Sequence, residues 1–228
     1  MRTTRAAQRE AADPNVVSLW HATQPRLDDR RFRALLAPAD WAALPEAVRR
    51  RFSKCVSDGA TIVYKGRVTS VFYSRTGWAL AQVLRLAGAP LPLSRKAGLE
   101  TVVTVTEDRA SCGQFWTRMF AREAGFPQMI HSVKRFAGKT GIEEALPFGI
   151  VMALRLSVEE GTLCFRSAGY AIAIGSLRLA VPVLFTPGKL TVTHSEIDAR
   201  TFRFTLTLEH PLAGTLLHQE AVYAEEMP

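Results

Sequence analysis

The sequence predicts a mainly β, α+β domain: an antiparallel curved sheet or barrel of about 9–10 strands, with two or three helices in its N-terminal half. Three observations carry that reading. After residue 99, short runs rich in Val, Ile, Thr, Phe and Tyr recur at roughly 8–12-residue spacing. Almost every break between them holds a turn signal, such as Glu159-Glu160-Gly161, Pro187-Gly188 or Asp198-Ala199-Arg200. No segment of helical length separates the runs, which argues against a parallel sheet built from strand–helix–strand units.

Taken in order, residues 1–28 read as a mobile basic extension and residues 29–228 as one domain. Residues 29–55 read as helical. Phe32, Leu35 and Leu36 have the spacing of one helix face, and Trp41, Leu44, Val48 and Phe52 mark a second beyond Pro38. After the Asp58-Gly59 turn, residues 60–73 have strand composition, and Gly66 marks a bulge or bend. Residues 76–87 form a short helix that Gly88 ends and Pro90 and Pro92 forbid from continuing. Strands are then expected near 99–106, 115–121, 128–137, 150–158, 162–174, 177–185, 190–197, 201–209 and 216–224. Closing such a sheet hides its edges.

Composition bounds the function. The chain has 228 residues, 47% hydrophobic and 22% charged, enough for a sizeable core without covalent staples. Three cysteines with no C-x-x-C pair fit reduced thiols and a cytoplasmic setting. The first 25 residues lack a signal-peptide core, and no apolar run of about 18 residues predicts a membrane helix. The net charge is +8 and the pI 9.9. Residues 1–55 hold eleven basic and six acidic residues, a difference of +5. A basic front end suits weak contact with an anionic membrane surface. Its arginines are not interleaved with aromatics, so no nucleic acid is predicted.

Several stretches place the chain in a family. They are Ala42-Ala43-Leu44-Pro45-Glu46-Ala47-Val48-Arg49, Gly66-Arg67-Val68, Phe115-Trp116-Thr117-Arg118-Met119-Phe120 and Ile130-His131-Ser132-Val133-Lys134-Arg135-Phe136. Gly141-Ile142-Glu143-Glu144, Arg203-Phe204 and His210-Pro211-Leu212-Ala213-Gly214-Thr215-Leu216 complete the set. In this order they resemble the bacterial family called domain of unknown function 4166, over roughly residues 30–225. The resemblance implies a domain found alone or at the end of saccharopine-dehydrogenase-like chains. It implies no activity and no catalytic residue. No G-x-G-x-x-G follows a strand here, so the nucleotide-binding part of such chains is absent.

Strand alternation selects the candidate site residues. Gln114, Trp116, Arg118 and Phe120 share one face. If that face is the lumen, Arg118 is a buried cation that needs a carboxylate, with Glu143, Glu144 and Glu196 as candidates. The alternative is a structural ion pair tying strands together. His131, with Val133 and Arg135, faces opposite Ser132 and Lys134. His131 and Glu144 are the acid–base candidates. Tyr170 in an apolar strand, and His194 with Glu196 on one face, complete the ligand-binding set of Trp116, Arg118, Phe120, His131, Tyr170, His194 and Glu196. His194, Glu196 and His218 lack ligand spacing, and no P-loop, nucleophile elbow or H-E-x-x-H occurs, so neither metal nor cofactor is predicted.

The expected function is a small-molecule or lipid-binding module holding an apolar or amphipathic ligand in a barrel cavity. The alternatives are an enzyme using the same cavity, such as a proton-transfer isomerase, cyclase or hydrolase, and a peripheral membrane or protein-interaction domain.

Overall fold

The computed structural model describes residues 25–225 apart from 58, 87, 89 and 176. Most of the predicted basic extension lies outside the described residues. The helical stretch is shorter than its periodicity suggests. Residues Arg33–Leu35 make a single 3-10 turn, followed by α1 (Pro38–Ala43) and α2 (Glu46–Phe52). Pro38 opens α1, where its missing N–H costs nothing. Leu44 and Pro45 are extended, so the second apolar face is split between two short helices. Phe32, Trp41, Leu44, Val48 and Phe52 are nevertheless all buried.

The strands are β1 (Ile62–Tyr73), β2 (Glu100–Asp108), β3 (Gly113–Phe120), β4 (Gln128–Arg135), β5 (Glu143–Ala145), β6 (Ile150–Glu159), β7 (Thr162–Ile174), β8 (Leu177–Ala180), β9 (Lys189–Glu196), β10 (Thr201–His210) and β11 (Gly214–Glu225). α3 (Arg75–Arg85) lies between β1 and β2. All neighbours pair antiparallel. β1 through β7, then β9, β10 and β11, close into a ten-strand barrel, because β11 pairs with β1 and β7 with both β6 and β9. β8 stands outside the ring on the upper half of β7.

Local chemistry explains the departures from the expected strands. The register of β6 and β7 shifts so that Ala168 is an extra residue beside Gly169, whose φ of 153° suits glycine. Beyond this bulge β7 leaves β9 and takes β8 as its neighbour. The run expected at 177–185 stops at Ala180, since Pro182 cannot donate to a ladder, and Val183–Phe185 form a 3-10 turn. β5 has only three residues, too few to show a period. The bend expected at Gly66 lies two residues on, between Val68 and Ser70. Gly66 instead permits close approach, because a Cβ there would sit 2.3 Å from the Val222 carbonyl and 2.5 Å from the Tyr223 ring.

The two ends of the barrel differ. At one end Phe32 and Phe52 plug the lumen, their rings edge-to-face at 5.1 Å, with Phe32 also 5.0 Å from Phe136. Burying each ring contributes about 1.5–3 kcal/mol. Lys54 of this plug pairs with Glu225 at the end of β11. At the other end the segment 90–93 crosses the rim. The Gln128 amide donates to Leu91 O at 2.9 Å and accepts from Leu93 N at 2.8 Å, and Tyr73 Oη donates to Pro92 O.

Candidate functional site

The lumen between plug and rim is mostly apolar. Ile62, Tyr64, Val103, Val105, Trp116, Leu163, Phe165, Phe202 and Tyr223 fill its lower half with side chains. Above them lies an open pocket of about 90 Å³. Phe120, Ile130, Met152, Val192 and Phe204 line its wall, Leu84, Leu91 and Pro187 its mouth, and Arg118, Glu144 and Gln219 its floor.

The floor joins three strands. Arg118 of β3 donates from Nη1 to Ser132 Oγ of β4 at 3.1 Å and from Nη2 to Glu144 Oε1 of β5 at 3.4 Å. Lys134 Nζ donates to the other Glu144 oxygen at 3.3 Å and lies 4.6 Å from the Trp116 ring centroid. Two cations thus share one carboxylate, and the cluster carries one net positive charge. Burial would raise the Glu144 pKa, but Lys134 and Arg118 outweigh it and hold the group at about 2. Burial lowers the Lys134 pKa, against the pull of Glu144.

Beneath Arg118 is a smaller chamber of about 20 Å³, lined by Arg51, Trp116, His194 and Phe204 among others. A space of that size takes about one water. His194 sits among Phe52, Phe165, Phe202 and Phe204, with ring centroids 5.1 to 5.9 Å away. Its Nδ1 and Arg51 Nη1 have no hydrogen-bond partner among the described residues. Burial, reinforced by Arg51, Lys134 and Arg118, pushes the His194 pKa well below the usual 6.5.

The structure brings together Trp116, Arg118, Phe120, Glu144, Tyr170 and His194 on the lumenal side. Tyr170 lines the pocket and donates to Gly188 O at 3.0 Å, and burial pushes its pKa up to about 12. Of the three carboxylates considered for Arg118, Glu144 is the partner. Glu143 points away from Glu144 and binds Arg178 of β8 through two hydrogen bonds of 2.5 and 2.9 Å. Glu196, half-buried, lies at the plugged end, where its charge acts on Arg51.

His131 does not reach the lumen. It is exposed on the outer face, its Nδ1 3.1 Å from Thr117 Oγ1, while its neighbours Ser132 and Lys134 point inward. Val133, on the same strand face as His131, also faces out and lines a shallow groove with Phe115 and Arg178. His218 is on the outer side of β11, next to the buried Gln219, and cannot meet His194. No group of three or more His, Cys, Asp or Glu able to hold a metal occurs among the described residues. Sequence reading missed Lys134 and Gln219 as floor residues. Alternation put Lys134 opposite His131, but which side was the lumen awaited closure.

A closed antiparallel barrel with a plugged end, an apolar open end and a cationic floor defines a lumen-bearing β-barrel domain. The chain belongs to the family described as Domain of unknown function (DUF4166), whose model matches residues 44–222. No curated protein and no solved structure matches it.

Proposed function

We infer that the barrel is a binding module for a small amphipathic anion, held with its charged group at Arg118 and its apolar part against Phe120, Ile130, Met152 and Phe204. One observation carries this reading: an otherwise apolar pocket ends on a floor where two cations share one carboxylate. A ligand bearing a single negative charge completes that balance. A buried excess charge costs several kcal/mol until it is paired, which favours an anionic over a neutral ligand. The pocket is smaller than the roughly 150 Å³ void that takes up benzene. It therefore receives the head and first carbons, and a longer chain extends through the mouth.

The groups in the lumen favour binding over proton transfer. Glu144, held at about 2, is a weak base engaged by two cations, and His194 stays neutral through physiological pH. The outward-facing His131 is not available to a ligand in the lumen.

Calorimetric titration with octanoate and with 1-octanol tests the proposal. Octanoate binds one to one and more tightly than the alcohol, and Arg118→Met weakens octanoate by about tenfold while leaving octanol unchanged. Equal affinities for acid and alcohol, or no binding of either, would sink it.

A further inference from the structure

We propose that the open end of the barrel is a membrane-docking surface that seats on an anionic bilayer, so that the lumen exchanges its ligand with the lipid phase; the exchange, though not the docking, rests on the reading above. Five connections join strands at this end, and each presents a large apolar side chain to solvent. They are Leu86 after α3, Phe126 between β3 and β4, Phe148 between β5 and β6, Leu184 and Phe185 between β8 and β9, and Leu212 between β10 and β11. All are at least 67% exposed. Phe148 has φ 60°, a conformation uncommon for so large a residue, and adjoins the α3 end, where a Cβ on Gly88 would lie 3.5 Å from its ring.

The upper part of the β7–β8 hairpin adds Ile174 and Leu177, both more than half exposed. At the plugged end the turns at 109–112, 160–161 and 198–200 contain no large apolar residue, and Leu27, Ile197 and, on the nearby outer wall, Phe115 are the exposed ones. An apolar display densest in the ring around a pocket mouth marks an interaction surface.

Charge decides what kind of partner fits. The segment 74–99 carries Arg75, Arg85, Arg95 and Lys96 and no carboxylate, and Lys189 opens β9; Arg178 does not add to them, because Glu143 on the outer wall holds it. Glu123 and Lys96 pair with each other at 2.6 Å and cancel, so the basic excess rests on Arg75, Arg85, Arg95 and Lys189. Apolar tips set among basic residues match the acyl boundary and phosphate layer of an anionic leaflet. The pocket opens at the centre of this ring, through Leu84, Pro90, Leu91 and Pro187, so a seated barrel faces its lumen to the lipid.

Co-sedimentation of the full chain with vesicles tests the docking. The chain pellets with phosphatidylcholine–phosphatidylglycerol vesicles more than with phosphatidylcholine alone, and added salt reduces the difference. Phe126→Ser, Phe148→Ser and Leu184→Ser each lower partitioning about tenfold. Neutralising Arg2, Arg5 and Arg9 to serine leaves most of it. Binding that is lost with those three arginines and survives the loop variants would overturn the proposal. So would a chain that is dimeric by light scattering and becomes monomeric in the loop variants, because the apolar ring would then be a self-association face. Octanoate affinity of the loop variants, measured without vesicles, stays within twofold of the parent. That measurement separates failure of docking from failure of the lumen reading.

Discussion

Arg118 on β3 and Glu144 on β5 meet above the intervening strand β4, guanidinium to carboxylate at 3.4 Å, with Ser132 of β4 hydrogen-bonded to the same guanidinium. This contact ties three strands at the place where the pocket ends. It makes Glu144 the single counter-charge for both Arg118 and Lys134.

Removing that counter-charge is expected to be costly. Glu144→Gln leaves two buried cations unpaired and should destabilise the fold by about 3–5 kcal/mol, read as a lower midpoint in urea unfolding. Arg118→Met keeps the Glu144–Lys134 pair and should cost less. If the two variants lose the same stability, the cluster is not organised around Glu144. The folded Glu144 pKa of about 2 lies below its ordinary 4.5, so the unfolded chain takes up the proton first. Its contribution is present above 4.5 and is lost as pH falls from there toward 2.

His194 should make the barrel acid-sensitive at a higher pH. Its folded pKa is depressed, so the unfolded chain binds a proton near 6.5 that the folded chain refuses. Stability should therefore fall as pH drops below 6.5, by up to about 1.4 kcal/mol per pH unit from this residue. His194→Phe keeps the ring among Phe52, Phe165, Phe202 and Phe204 and should flatten the dependence between pH 6.5 and 5. Urea unfolding at three pH values measures it, and an unchanged slope would show that His194 is not the group responsible.

Gly77 should reverse the usual helix preference. In an ordinary helix interior alanine is better than glycine by about 1 kcal/mol. In α3 a Cβ at this position would lie 1.9 Å from the carbonyl oxygen of Leu216, on β11. Gly77→Ala must push α3 off the barrel and should lower stability by about 1–3 kcal/mol. Thermal unfolding reads the sign, and a stabilised variant would mean that α3 adjusts without cost.

Much of this molecule is local and therefore legible in the sequence. Two-residue alternation put Gln114, Trp116, Arg118 and Phe120 on one face, and set His131 against Ser132 and Lys134, because successive side chains of any strand must oppose each other. The turns at Glu160-Gly161 and Pro187-Gly188 follow from the same short-range chemistry, whereas the helix expected to run to Gly88 ends earlier, at Arg85. Tertiary structure alone decided what depends on closure. Which face became the lumen, and hence that His131 lies outside, was settled when β6 and β7 completed the ring. The choice of Glu144 over its neighbour Glu143 was made by β5, a three-residue strand whose register is imposed by β4 and β6. The difference between a plugged end and an apolar, basic mouth arises because antiparallel strands send alternate connections to opposite ends, gathering residues far apart in the chain into a surface that no local pattern records.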